Sequence, residues 1–187
     1  MATKKNRTTI TEAMQEIETL KKRLADKLPP IVRYVCRDER EKDPLQVQGG
    51  SEKFIAEERQ SHEDLCRRLI SLRLAVAKAN DATMVKVGNR TMTISEWLVW
   101  KREVYPQERA LLDGLNGAIN AARATARKQG VTVVPANAAE GDSHKGNLLV
   151  MVDELEVVRG LEELEQTRGT LDGQLSLKNA TVFVDIE

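Results

Sequence analysis

Apolar residues recur at alternating spacings of three and four along several long parts of the chain, which places them on one face of an α-helix. In the first part, Thr9 and Glu12 stand in capping-box relation at the helix start. We predict a helix of about 18 residues within residues 1–28, ended by Pro29 and Pro30. The following "IVRYVC" is a candidate strand that leads into a charged loop. The apolar helix positions are Ile10, Ala13, Ile17, Leu20 and Leu24.

A second helix is predicted from Ser51, a candidate N-cap, to about Asn80. A helix of roughly 30 residues is about 45 Å long. That length exceeds what a compact domain of 187 residues needs, so we expect an equally long helix to pack along it. The heptad positions of its apolar face are Ile55, Leu65, Leu69, Leu72, Val76 and Ala79.

Strict alternation replaces the helical spacing in residues 83–94, which predicts a β-hairpin. Gly88 and Asn89 suit a two-residue turn whose first position has positive φ. In that register the hairpin has one apolar face, formed by Val85, Val87, Met92 and Ile94.

The third helix is predicted to begin directly after the hairpin. Thr93 and Glu96 form a capping box, and Met92 and Trp97 have the spacing of a hydrophobic staple. We therefore expect Trp97 to hold the hairpin on the helix that follows it.

This third helix should continue to Gly130, with a kink near Tyr105 caused by Pro106. Because only a hairpin joins them, the second and third helices are expected to form an antiparallel pair over residues 51–129. The apolar positions of the third helix are Leu98, Tyr105, Leu112, Leu115, Ile119, Ala122 and Ala126.

Residues 130–149 are predicted as a linker with a candidate strand at 131–134, and residues 150–187 as a helix followed by a strand. Asp153 and Glu156 form a further capping box. Glycines inside this helix allow either close helix approach or a weakly specified surface face. The apolar helix positions are Val157, Leu161, Leu164, Leu171 and Leu175, and the tail alternates Val182, Val184 and Ile186 as an edge strand that needs a partner from elsewhere.

The predicted fold class is mainly α: long antiparallel helices, as a helical hairpin or bundle, with a small β-hairpin and short edge strands in one elongated domain, residues 1–187. Aromatic residues make up 3% of the chain and charged residues 31%, as in helical bundles with solvated faces. Basic and acidic residues number 29 each, so no net charge draws the chain to nucleic acid, and we predict no nucleic-acid partner. No apolar run approaches the length of a membrane span.

Catalytic and metal chemistry find little support in the sequence. Cys36 and Cys66 are interpreted as reduced, buried thiols. His62 lies four residues before Cys66, so the two can neighbour each other on one helix face, although a helix interior seldom offers a substrate cleft. With His144 the only other histidine, we predict no metal site, no cofactor and no enzymatic activity. The segment "EGDSHKGN" lacks the order of a phosphate-binding loop and is interpreted as a loop.

One cluster stands out as a candidate interface or ligand-binding site: Arg90, Trp97, Trp100, Lys101 and Tyr105. Trp97 and Tyr105 are assigned to the core, whereas Trp100 and Lys101 are expected partly outside the hairpin contact. We favour Trp100 as the residue that fills a groove on a neighbouring subunit. The alternative is a small-ligand site between subunits, in which Arg90, Trp100 and Lys101 hold an anionic ring by charge and stacking.

Four stretches together resemble the septicolysin-like family of small bacterial and phage-borne proteins: "LISLRLAVAKANDATMV", "TMTISEWLVWKRE", "LLDGLNGAINAARA" and "VMVDELEVVRGLEELEQTRGTLDGQLSLKNATV". The resemblance implies long antiparallel helices with a small β element and a ring-like homo-oligomer, and it supplies no catalytic residues. Its most specific positions are Asn80, Thr83, Thr91, Met92, Thr93, Ile94, Glu96 and Leu98.

From these observations we expect a non-catalytic, homo-oligomeric helical protein with a structural or binding role, for which a phage or prophage virion or accessory component is the leading form. Its partners would be further copies of itself and other virion or host proteins, in the bacterial cytoplasm or in a virion. A first alternative is a ring-shaped protein that sequesters a small anionic ligand such as a signalling nucleotide. A second alternative is a pore-forming, cytolysin-like protein.

Overall fold

The computed structural model of the chain describes residues 7–136 and 146–186. The fold is mainly α, as predicted. The described residues form two compact units, the first within Met1–Met84 and Ser176–Glu187 and the second within Val85–Leu175. The elements are β1 (Thr8–Thr9), α1 (Ile10–Arg33), a 3-10 turn (Gln46–Gln48), α2 (Ser51–Ala82), β2 (Met84–Val87), β3 (Arg90–Thr93), α3 (Ile94–Val99), a π-helical segment (Trp100–Val104), α4 (Tyr105–Gln129), β4 (Val133–Pro135), β5 (Leu148–Val150), α5 (Glu154–Thr181) and β6 (Phe183–Val184).

In the first unit, α1 and α2 pack against each other in antiparallel directions. Glu16 accepts two hydrogen bonds from Arg68, and Lys27 binds Glu58 at 2.6 Å, so the two helices run in opposite directions. α2 thus has a long partner in α1. The predicted pairing of the second helix with the third, residues 51–129, stays a prediction. The buried apolar residues of this helix pair are Ile10, Ala13, Ile17, Leu20, Leu72 and Ala75.

The predicted end of the first helix is wrong, because α1 continues through Pro29 and Pro30 to Arg33. Both prolines lie within the last five residues of α1, where their fixed φ fits a helix, so the helix continues although each proline removes a backbone donor. The candidate strand in "IVRYVC" is wrong for the same reason, since its first three residues form the last turn of α1.

The start of α2 also differs from the prediction, because the capping oxygens belong to Asp43 and not to Ser51. One Asp43 oxygen accepts a hydrogen bond from the Ser51 backbone N–H at 2.7 Å, and the other accepts from the Ser51 hydroxyl at 2.6 Å. These bonds, with one from the Leu45 backbone, hold the pKa of Asp43 below its usual value. Sequence spacing could not reveal this cap, since its carboxylate lies eight residues before the helix.

The tail strand finds its partner within the chain. β6 pairs antiparallel with β1, with Thr8 opposite Val184 and Thr9 opposite Phe183. The predicted capping box is confirmed: Glu12 N donates to the Thr9 hydroxyl, and Thr9 N donates to the Glu12 carboxylate. The C-terminal strand is therefore anchored beside the start of α1.

The second unit begins with the predicted hairpin. Val85, Val87 and Ile94 are buried, and Gly88 at the first turn position has φ of +56°. The capping box of Thr93 and Glu96 is also confirmed. The long helix that follows runs antiparallel to α5, and the contacts that join the two are Lys101–Asp172, Tyr105–Glu165 and Arg123–Glu154.

Pro106 interrupts the regular α-helix, as predicted, but the structure has a π-helical segment before it and not a simple kink. Pro106 has no N–H to bond to the carbonyl four residues earlier, and the Tyr105 N–H reaches back five residues to Trp100. The extra residue in this turn shifts the helix faces on its two sides relative to each other. As a result Tyr105 is buried as predicted, whereas Leu98 is exposed and its assignment to the core is wrong.

The last elements of this unit are two short strands and α5. β4 and β5 pair in parallel, and β4 overlaps the strand predicted at 131–134. A side-chain atom added at Gly160 would lie 3.4 Å from Leu112, an ordinary van der Waals distance, so Gly160 lies against α4 without an approach that requires glycine. Gly169 and Gly173 face open space, as a weakly specified surface does.

In the described ranges, no helix combines the length and the apolar character needed to cross a bilayer. The pore-forming alternative stays a prediction.

Candidate functional site

Trp97 occupies the centre of the second unit, where it is fully buried. Its indole N–H donates a 2.9 Å hydrogen bond to the carbonyl oxygen of Val85 in β2. A residue at the fourth position of α3 is thereby tied to the first strand of the hairpin. The prediction that Trp97 holds the hairpin on the helix is confirmed.

Trp100 lies in the same core, only 4% exposed, so the prediction that it lies partly outside the hairpin contact is wrong. Its ring meets Trp97 edge to face at 5.4 Å and Tyr105 at 5.6 Å between ring centroids. Such edge-to-face arrangements stabilise aromatic pairs beyond their buried area. The π-helical segment produces this row, because it turns Tyr105 towards the two tryptophans.

Arg90 and Glu108 cover the polar side of Trp100. The guanidinium carbon of Arg90 lies 5.9 Å from the Trp100 ring centroid, within the range of a cation–π contact. Glu108 accepts a hydrogen bond from the Trp100 indole at 3.2 Å and forms an ion pair with Arg90 at 3.5 Å. The structure therefore brings Arg90 and Trp100 together, and it neutralises the arginine in place.

Lys101 points elsewhere, to a 2.5 Å ion pair with Asp172 of α5. This pair is half-exposed, so its contribution to stability is small. A groove opens beside Trp100, and Lys101 is not one of the described residues that line it. The predicted group of three ligand contacts is thus reduced to Arg90 and Trp100 within one subunit.

Tyr105 is the centre of a polar cluster on the other side of the aromatic row. Its phenolic oxygen donates to Glu165 at 2.8 Å and accepts from Arg109 at 3.0 Å and from Arg168 at 2.9 Å. The Arg168 guanidinium also lies 4.8 Å from the centroid of the tyrosine ring. Two cations and one carboxylate therefore converge on a single buried phenol.

These contacts shift the ionisation of the groups around the phenol. The hydrogen bond from Tyr105, and then the charges of Arg109 and Arg168, hold the pKa of Glu165 below its usual value. The bonds to Tyr105 and Asp113, with the charge of Glu165, raise the pKa of Arg109 further above its already high value. Arg109 and Glu165 thus favour each other's charged forms, which is typical of an ion-pair network that holds structure.

Sequence reasoning missed Glu108, Arg109, Glu165 and Arg168. For Arg168 a signal was present: it lies seven residues after Leu161 and seven before Leu175, at a position of the apolar heptad seam. A charged residue at such a position needs a partner across the helix interface, and Tyr105 supplies it. The other three occupy ordinary solvated positions, and only the fold shows their contacts.

A groove of about 690 Å³ opens beside this row of aromatic residues, between the hairpin turn, α4 and α5. Trp100, Leu112 and Leu164 contribute apolar surface, while Arg90, Glu108 and Glu163 contribute charges. Arg90 pairs with Glu108, and Glu163 has no ion pair within the described part of the chain. The charges that line the groove within one subunit therefore sum to a slight negative excess.

The other candidate groups, which are the histidines and cysteines, lie in the first unit or outside the described residues. His62 Nδ1 lies 3.7 Å from Cys66 Sγ, which confirms their predicted proximity. Both cysteines are free thiols, and Cys36 is exposed, so its predicted burial is wrong. His144, with most of "EGDSHKGN", lies outside the described residues. Residues 7–136 and 146–186 contain no group of three or more side chains suited to bind a metal ion.

No family model, curated protein or solved structure matches this chain. The function is therefore inferred from the geometry of the described residues.

Replacing Tyr105 by phenylalanine is expected to lower the free energy of unfolding by about 1–2 kcal/mol at neutral pH, because the phenol joins three charged groups. Urea unfolding followed by circular dichroism measures this loss. Tyr34→Phe is the matched control, since the Tyr34 hydroxyl makes no hydrogen bond to any described residue. Equal stabilities of the two variants would contradict a structural role for the cluster.

The same substitution should change how stability depends on pH. The pKa of Glu165 is lower in the folded chain than in the unfolded one, so its contribution is present at neutral pH and is lost as the pH falls through the carboxyl range. Without the Tyr105 hydroxyl the largest single cause of the lowered Glu165 pKa disappears. The difference in stability between wild type and Tyr105→Phe should therefore shrink as the pH falls from about 7 to about 3. A difference that stays constant with pH would assign the effect to packing instead.

Proposed function

We propose that this chain is a non-catalytic, self-associating helical protein with a structural or binding role, in the form of a virion or accessory component of a phage or prophage. The observation that carries the proposal is a set of exposed aliphatic pairs on the helices of the first unit. Leu28 and Val32 on α1, and Ile70 and Leu74 on α2, are each between 58% and 66% exposed.

Each pair is spaced by one helical turn, so its two side chains lie next to each other on the same face. Contiguous apolar surface of this kind is typical of protein interaction sites, whereas single exposed aliphatic residues are ordinary. Burial in an assembly would yield about 25 cal/mol for each Å² removed from water. A stable interface takes roughly 800 Å² from each partner, so several patches must act together.

The state of the aromatic cluster supports a non-catalytic role. Catalytic groups need a free proton acceptor or nucleophile in a cleft. Here Glu165, Arg109 and Arg168 are engaged with Tyr105, and Glu108 is engaged with Arg90 and Trp100. The resemblance to the septicolysin-like family supports self-association, since that family implies a ring-like homo-oligomer. The virion or accessory form rests on that resemblance alone.

Native mass spectrometry of the untagged chain, taken directly from cells, tests this proposal. We expect an integer oligomer with no added mass. If native mass spectrometry and sedimentation velocity at micromolar concentrations both show only a monomer, the proposed self-association is wrong.

A second candidate function is sequestration of a small ligand in the groove beside Trp100, which is favoured by the size of that groove. Its volume of about 690 Å³ falls within the range of ligand pockets, and Arg90 with the Trp100 ring borders it. Because Glu108 and Glu163 outweigh Arg90, an anionic ligand would need further cations from a neighbouring subunit. The same spectrum decides this point, since a bound ligand adds one defined mass per site.

A further inference from the structure

β4 and β5 form an isolated parallel pair, in which Val133, Val134 and Pro135 lie opposite Leu148, Leu149 and Val150. Parallel sheets are ordinarily covered on both faces, and a two-stranded sheet alone is marginally stable in water. α4 contacts both strands. Within the described residues β5 pairs with β4 only, so the opposite edge of β5 has no strand beside it.

This edge lacks the features that normally keep strands apart. Natural edge strands carry charged residues or proline, which block pairing with another chain. Pro135 has this effect at the end of β4, but the stretch "GNLLVMV", residues 146–152, contains neither a charge nor a proline. Leu149 in β5 is 45% exposed and Met151 directly after the strand is 77% exposed, whereas Leu148 and Val150 are partly buried.

We propose that β5 of one copy pairs antiparallel, across a two-fold axis, with β5 of a second copy of this chain. The inference rests on the proposed self-association and names one of its interfaces. The result is a continuous sheet in the order β4, β5, β5, β4, in which the unpaired backbone groups of both copies bond to each other.

The chemistry of this segment favours the same segment of a second copy as the strand that pairs with it. An uncharged edge is best matched by an uncharged strand, and in an antiparallel two-fold pair the same surface serves both sides. With Val150, the last residue of β5, on the axis, Leu149 of one copy lies opposite Met151 of the other, so the pairing extends each strand by one residue.

The surroundings of the edge accommodate such a contact. A groove of about 540 Å³ lies between α4, the two strands and the start of α5, and its apolar lining includes Val133, Val150, Met151 and Leu155. Its charged lining is Arg123, Asp153 and Glu154, so aliphatic side chains from a second copy can pack against the apolar part of this groove. The interface would then combine backbone hydrogen bonds with apolar burial.

Met151→Lys tests the proposal, because it places two lysines near the axis and changes a side chain that is already exposed. Association measured by sedimentation velocity should weaken at least tenfold, while the far-ultraviolet circular dichroism spectrum stays unchanged. Val47→Lys is the matched control: Val47 is 100% exposed in the 3-10 turn, so the same change of charge should leave association intact.

The register has its own test in a Cys36→Ser, Cys66→Ser background. Mixed and oxidised Leu149→Cys and Met151→Cys chains, distinguished by a tag, should crosslink to each other more than to themselves. If the wild type associates and Met151→Lys associates as strongly as Val47→Lys, this interface is wrong and the proposed function stays intact. A monomeric wild type would overturn both and leave the edge to a strand of a different protein.

Discussion

Trp97→Ala is expected to lower the free energy of unfolding by about 3–5 kcal/mol, the range for truncation of a large buried aromatic side chain. Trp97 is fully buried, contacts Trp100 edge to face and donates to the Val85 carbonyl. Its removal leaves a cavity and a carbonyl without its indole donor at the junction of the hairpin and α3. Urea unfolding followed by far-ultraviolet circular dichroism measures the loss.

Trp97→Phe separates the two contributions. Phenylalanine retains most of the apolar volume but cannot donate to Val85, so its cost should fall between those of wild type and Trp97→Ala. If the alanine variant loses less than about 1 kcal/mol, the hairpin does not depend on this contact.

Leu72→Asp is expected to destabilise the chain by about 4 kcal/mol or more, because it buries an unpaired carboxylate between α1 and α2. Leu72 is 0% exposed in the core of the first unit. Hydrogen exchange measured by mass spectrometry should show lost protection in both helices.

Leu74→Asp is the matched control on the same helix, two residues further on. Leu74 is 66% exposed, so the same change should alter stability by no more than about 0.5 kcal/mol. If the exposed α2 pair takes part in self-association, this variant should also form a weaker oligomer while staying folded. Equal destabilisation by the two substitutions would show that the burial pattern of α2 is wrong.

The aromatic row links local sequence to the shape of the candidate site. Pro106 removes a helix donor, the preceding turn becomes π-helical, and Tyr105 moves into line with Trp97 and Trp100. π-helical turns of this kind are frequently found at functional sites. In this protein the turn also forms part of the wall of the groove, through Trp100.

The sequence by itself determined the features that depend on neighbouring residues. Two of the three predicted capping boxes, those at Thr9 and Thr93, the hairpin turn at Gly88 and the contact of Trp97 with the hairpin follow from short-range spacing. All partners in these features lie within about a dozen residues of each other. Heptad spacing identified the buried faces of the helices for the same reason. Mainly helical structure was therefore predictable from local patterns alone.

Only the tertiary structure decided which helices meet and what each polar residue contacts. Heptad spacing shows that a helix has an apolar face but does not say which other face covers it, so α1 beside α2 and α5 beside α4 were not predicted. Trp100 was expected at the surface because its partners Tyr105 and Glu108 depend on a π-helical turn that no spacing rule contains. The Asp43 cap and the bond from Tyr105 to Glu165 likewise join residues that only the folded chain brings together. Local geometry is encoded within a few residues, whereas partner choice is a property of the whole packed chain.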